Sequence, residues 1–138
     1  MVLLSFGACR LTALDKLEYE FKGVHFMAEY CECDEQALTD IETLKKVVHE
    51  AALASGATIL ESVDHLFPPH GLTLVILLSE SHASIHTYPE HKSCFVDLFT
   101  CGDHCSANEF DAVLRAYLKP ITAHHKTLIR SETINDVN

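Results

Sequence analysis

The sequence predicts an α+β fold, an antiparallel sheet with helices packed on one of its faces. Strand-like patterns follow one another in a run rather than alternating with helices. Two capping boxes each open an amphipathic helix, and proline- or glycine-bearing turns separate the strands. The order is strand, helix, strands, helix, strand.

The first strand runs from Lys22 to Tyr30, with Val24, Phe26 and Ala28 on one parity and His25, Met27 and Glu29 on the other, the period of a half-buried strand. Thr39-Asp40-Ile41-Glu42 reads as a capping box with Thr39 as the cap. The helix it opens buries Ile41, Leu44, Val47, Val48, Ala51 and Ala52 and ends at Gly56. Thr58 to Leu66 and Leu72 to Ser79 are strands divided by Pro68-Pro69-His70-Gly71, and the second is apolar enough to be central and buried. Ala83 to Thr87 and Ser93 to Thr100 form two more strands around Pro89-Glu90-His91-Lys92. Ser106-Ala107-Asn108-Glu109 caps a second helix with Phe110, Val113, Leu114, Tyr117 and Leu118 inward, stopped by Pro120. Ile121 to Ile129 is a last strand, and Ser131 to Asn138 a loose polar tail.

A chain of 138 residues is one domain. Its 48% apolar and 22% charged residues describe a soluble globular protein. The formal net charge of -10 argues against nucleic acid and favours a cationic ligand. Val2 to Phe6 is too short and lacks the charged start of a signal peptide, and no apolar run reaches the length of a membrane span. The expected setting is the cytoplasm, with no membrane partner and the six cysteines reduced.

The most informative run is Leu78-Ser79-Glu80-Ser81-His82-Ala83-Ser84-Ile85-His86-Thr87-Tyr88-Pro89-Glu90, followed by Phe99-Thr100-Cys101-Gly102-Asp103. It resembles the self-cleavage and active-site segment of the prokaryotic S-adenosylmethionine decarboxylases, proenzymes that make a pyruvoyl cofactor from an internal serine. The likeness extends from about Gly23 to Leu118, through Gly23-Val24-His25, Ala28-Glu29-Tyr30-Cys31-Glu32-Cys33-Asp34, Ala54-Ser55-Gly56-Ala57-Thr58 and His65-Leu66-Phe67-Pro68-Pro69-His70-Gly71.

The resemblance implies a two-layer sandwich, a homodimer of cleaved protomers and a division into an extension (1–22), a decarboxylase domain (23–130) and a tail (131–138). It also implies cleavage between Glu80 and Ser81, giving a β chain to residue 80 and an α chain from residue 81. The Ser81 hydroxyl would attack the preceding carbonyl, and elimination with loss of ammonia would leave a ketone at the new terminus. His86 would serve as processing base and Thr73 as the assisting hydroxyl. In turnover the ketone would form a Schiff base with the substrate amino group and act as electron sink, with Cys101 as proton donor to the carbanion. Phe67 and Tyr88 match positions that flank adenine, and Glu90 a carboxylate that contacts the ribose. The implied substrate is S-adenosylmethionine and the product the aminopropyl donor for spermidine synthesis.

Two stretches depart from the family pattern. Leu74 stands where a second glycine is usual, and His91-Lys92-Ser93-Cys94 replaces a turn containing glycine and tyrosine. The same pyruvoyl chemistry would serve another amino acid, such as arginine or ornithine, because it needs only an α-amino acid; a third reading is a non-catalytic binding homologue. Zinc could use Cys31 with Cys33, His82 with His86, or His104 with Cys105. None makes a paired Cys-x-x-Cys motif or a matched set, so no metal is assigned.

Overall fold

The structure, a computed structural model, describes residues 21–101, 103–131 and 134–137. Residues 1–20, including Val2 to Phe6, lie outside the described residues. Among the described residues, seven strands form one sheet: β1 (Gly23–Cys31), β2 (Ile59–Phe67), β3 (Gly71–Leu78), β4 (Ser81–Tyr88), β5 (Ser93–Thr100), β6 (Thr122–Arg130) and β7 (Ile134–Val137). Their order across the sheet is β2-β3-β4-β5-β1-β6-β7, and every neighbouring pair is antiparallel. Three helices, α1 (Glu35–Thr39), α2 (Ile41–Ala54) and α3 (Ala107–Leu118), supply the second layer.

Alternation along the strands decides which face the helices cover. Phe26, Ala28 and Tyr30 of β1, Leu72, Leu74, Ile76 and Leu78 of β3, Ala83 and Ile85 of β4 and Cys94, Val96 and Leu98 of β5 are buried. They join Leu38, Leu44, Val48, Phe110, Leu114 and Leu118 of the helices in one core. Tyr30, fully buried, donates its hydroxyl to Asp111 of α3, which satisfies the one polar atom its ring carries inside. Among the described residues no helix is long and apolar enough to cross a membrane.

Several expectations need correction. Asp40, not Thr39, caps α2: its carboxylate accepts from the Thr43 amide at 3.2 Å, while the Thr39 hydroxyl donates back to Glu35 O at 2.9 Å and closes α1. A carboxylate at the start of α2 also meets the positive end of the helix dipole. The short α1 stands outside the expected element order; Asp34 caps it, and Ala37 and Leu38 bury its inner side. Strand β3 is neither central nor buried on both faces, since it lies one place from the edge strand β2 and exposes Val75 and Leu77. Phe67 ends β2 instead of lying in the loop, Pro89–His91 is a 3-10 turn, and Ile134–Val137 of the supposed tail pairs with β6. Ile41, Val113 and Tyr117 are half-buried and pack against the core's rim.

Candidate active site

The Glu80-Ser81 junction closes the tight link between β3 and β4, where Leu78 pairs with Ser81. Three hydrogen bonds fix it. The Ser79 amide donates to Thr58 O at 2.9 Å, the Thr58 amide donates to the Glu80 carboxylate at 3.0 Å, and the Cys101 amide donates to Glu80 O at 2.8 Å. The last bond polarises the carbonyl that a hydroxyl at Ser81 would attack, and it is placed to stabilise the oxyanion that would form there.

Ser81 has φ +148°. That region belongs to glycine, and a serine held in it stores strain of order 1–3 kcal/mol. Cleavage of the bond before Ser81 would release that strain. Glu80 is 8% exposed. Burial by itself would raise its carboxyl, but the Thr58 amide, its own backbone amide and the His104 imidazole hold it below the usual carboxylate range. Cys101 is exposed, beside a cleft of about 330 Å³ shared with Phe99, Arg130 and Gly23. The Arg130 guanidinium lies 4.4 Å from the Phe99 ring centroid, and a Cβ at Gly23 would sit 2.3 Å from that ring.

The remaining predicted residues gather elsewhere. Thr73 and His86 are cross-strand partners on β3 and β4, and the Thr73 hydroxyl shares a hydrogen bond with His86 Nδ1. The His86 ring stands edge-on to Phe67 at 5.8 Å and to Tyr88 at 4.7 Å between centroids. Phe67, His86, Tyr88 and Glu90 line one cleft of about 470 Å³, walled by Pro68 and Pro69. Leu74 is fully buried on the helix side, opposite the face that carries Thr73, so its bulk stays out of this cleft. At the rim, the left-handed Lys92 (φ +49°) turns the chain, its carbonyl accepts from the Cys33 amide at 2.8 Å, and its ammonium pairs with Glu35.

The structure therefore divides the predicted set in two. His86 lies five residues along β4 from Ser81, and at a rise of about 3.3 Å per residue that places their Cα atoms about 16 Å apart. Glu80, Ser81 and Cys101 share one end of the sheet; Thr73, His86, Phe67, Tyr88 and Glu90 share the other. Between them, on the face without helices, Asp97 bridges His25 and Ser84 at 3.2 Å each. This face also exposes Val63, Val75, Leu77 and Phe95.

The sequence reading gave no role to Thr58, Phe99 or Arg130. Phe99 lies two residues before Cys101, and its contacts with His25, His82 and Arg130 come from three other strands. Only the sheet order could show them.

The sequence matches the S-adenosylmethionine decarboxylase family over residues 24–131. It is 41% identical over 102 residues to the S-adenosylmethionine decarboxylase proenzyme of Fervidobacterium nodosum, covering 74% of each chain. Over 90 residues it is 47% identical to the proenzyme of Pelotomaculum thermopropionicum, covering 65% of this chain and 70% of that one. The fold superposes on the crystal structure of adenosylmethionine decarboxylase from Aquifex aeolicus with a TM-score of 0.75 and 30% identity, over 86% of this chain and 98% of that one.

Proposed function

Because the chain belongs to the S-adenosylmethionine decarboxylase family, we propose that it is a proenzyme that cuts itself between Glu80 and Ser81 and then decarboxylates S-adenosylmethionine to the aminopropyl donor for spermidine synthesis. The observation that carries this is the junction: a serine at φ +148° whose preceding carbonyl already accepts the Cys101 amide at 2.8 Å. A pyruvoyl group formed there from Ser81 supplies the electrophilic carbonyl and electron sink that decarboxylation needs.

The chain's own residues have separate tasks. The Ser81 hydroxyl is the nucleophile for its own cleavage, and the Cys101 amide steadies the developing oxyanion. His86, oriented by its bond to Thr73, takes the proton at the Cα of the partner's Ser81. The exposed Cys101 thiol returns a proton to the substrate carbon after carbon dioxide leaves. Phe67 and Tyr88 offer ring faces to a flat base, and Glu90 offers a carboxylate to ribose hydroxyls. A reducing, cytoplasmic setting belongs to the same reading, because Cys101 must remain a thiol.

Separation of Ser81 from His86 supports assembly as a homodimer. A two-fold contact through the face without helices would run the partner's β4 opposite to this one and bring the partner's His86 cluster toward Ser81. It would also cover Val75, Leu77 and Phe95, which solvent now reaches.

Mass spectrometry of purified protein tests processing, with fragments ending at Glu80 and starting at a pyruvoyl residue 81 expected. Carbon dioxide release from carboxyl-labelled S-adenosylmethionine, arginine and ornithine tests the substrate. A chain that stays full length, or turnover of arginine or ornithine alone, would overturn the first or the second part.

A further inference from the structure

A second group of side chains surrounds Glu80, and the decarboxylase reading gives it no task. His104 and Cys105 lie on the loop between β5 and α3. A carboxylate oxygen of Glu80, an imidazole nitrogen of His104 and the Cys105 sulfur all lie within 4.8 Å of one another. The backbone arranges this. The Ser106 amide donates to Ser55 O at 2.7 Å and ties the loop to the end of α2. Gly56, at φ +93°, packs so closely that a Cβ there would come within 3.1 Å of the His104 carbonyl oxygen. The Thr58 amide holds Glu80 Oε2 at 3.0 Å, which leaves Oε1 turned to His104 Nε2 at 3.3 Å.

One oxygen, one nitrogen and one sulfur donor form a borderline-soft set. Magnesium and calcium take oxygen shells, whereas carboxylate, imidazole and thiolate together suit a zinc-class ion. Bonds of about 2.0–2.3 Å to a tetrahedral ion separate its donors by roughly 3.3–3.8 Å, so a contraction of about 1 Å completes the set. The Glu80 and His104 donors already stand at 3.3 Å, so the contraction falls on the half-buried Cys105, with the 62% exposed His104 side chain free to follow. Three protein donors leave a fourth position for water.

We propose that Glu80, His104 and Cys105 bind one zinc-class divalent cation, which fastens the residue before the Glu80-Ser81 junction to the loop that follows Cys101. The site exists in the uncut chain and does not rest on the proposed activity. In a cut protein the ion would join the two chains.

The uncut Ser81→Ala protein should be titrated with cobalt(II). One equivalent should bind, with the visible bands of a tetrahedral ion and a thiolate-to-cobalt charge-transfer band, both displaced by zinc. Cys105→Ser, made in the same background, should lose the charge-transfer band. It and His104→Ala should each weaken binding by more than about a hundredfold, beyond the roughly 10–100-fold that the loss of an outer partner costs. Cys31→Ser, distant on β1, should change neither. Far-ultraviolet circular dichroism confirms that each variant is folded. Absence of binding by the folded Ser81→Ala protein, or a charge-transfer band that survives in Cys105→Ser, would overturn the proposal.

Discussion

The division of the predicted site between two ends of the sheet makes a quantitative prediction about mixed proteins. Consider one variant with Ser81→Ala, which keeps His86, and another with His86→Ala, which keeps Ser81. At about 3.3 Å per residue the two positions in one chain are about 16 Å apart, several times the roughly 3 Å reach of proton transfer. Neither variant alone should cut. If the base comes from the partner, a mixed dimer has one site with Ser81 and His86 both present and one with neither. Random assembly from equal amounts puts about half of the His86→Ala chains in such dimers, so about half of those chains should be cut. Co-expression with different tags, followed by gel separation, reads the fraction directly. No cutting in the mixture, with mixed dimers demonstrated by pull-down, would refute a shared site.

Cys101→Ala should still be cut, because only its backbone amide serves the junction, yet lose most turnover; a processed variant with normal carbon dioxide release would remove the thiol from the reaction. Phe67→Ala should process normally and raise KM for S-adenosylmethionine by about tenfold or more, the equivalent of one base-stacking contact. Steady-state kinetics with unchanged KM would dismiss that stack. Glu80 gives a pH effect of defined sign. Its folded-state carboxyl is held below the usual range, so its stabilising contacts are fully present above the unfolded value of about 4.3 and fade as pH falls through the lower folded value. Urea midpoints of Ser81→Ala should therefore drop more steeply below about pH 4 than those of the same protein carrying Glu80→Gln. Parallel curves would show that the carboxylate contributes nothing.

The parts of the fold that were legible were those coded by periodicity. The alternation from Val24 to Tyr30 identified the buried face of β1, and the apolar spacing of α2 and α3 identified theirs. Thr39 misled because Thr and Asp stand side by side and either can cap; the backbone gave the place to Asp40. β3 misled because Val75 and Leu77 extend the apolar run, and their exposure belongs to a face that needs a partner, which composition does not distinguish from a buried one. The site motif named the residues but not their spacing in space. In a strand, five residues carry His86 down the sheet instead of back to Ser81, whereas Cys101 returns to the junction because β5 runs beside β4. The contact of His104 with Glu80 was hidden for the same reason: it depends on where the β5–α3 loop falls beside Thr58.

The strand order bears on how a cut molecule would hold together. Residues up to Glu80 contribute β1, β2 and β3, while those from Ser81 contribute β4 to β7. Across the sheet the two pieces are interleaved, because β1 lies between β5 and β6 and β3 lies against β4. Three hydrogen-bonded ladders thus join one fragment to the other, and neither fragment carries the whole core. Cleavage would leave a nicked sheet that stays assembled, but it would change the order of the folding reaction. An intact chain can refold by itself, whereas denatured fragments must find each other, at a rate and with a stability that depend on concentration. The proposed cut would in that sense be a one-way step: the protein would have to fold before it breaks, and the matured form would inherit a structure that its pieces, once diluted, would rebuild poorly.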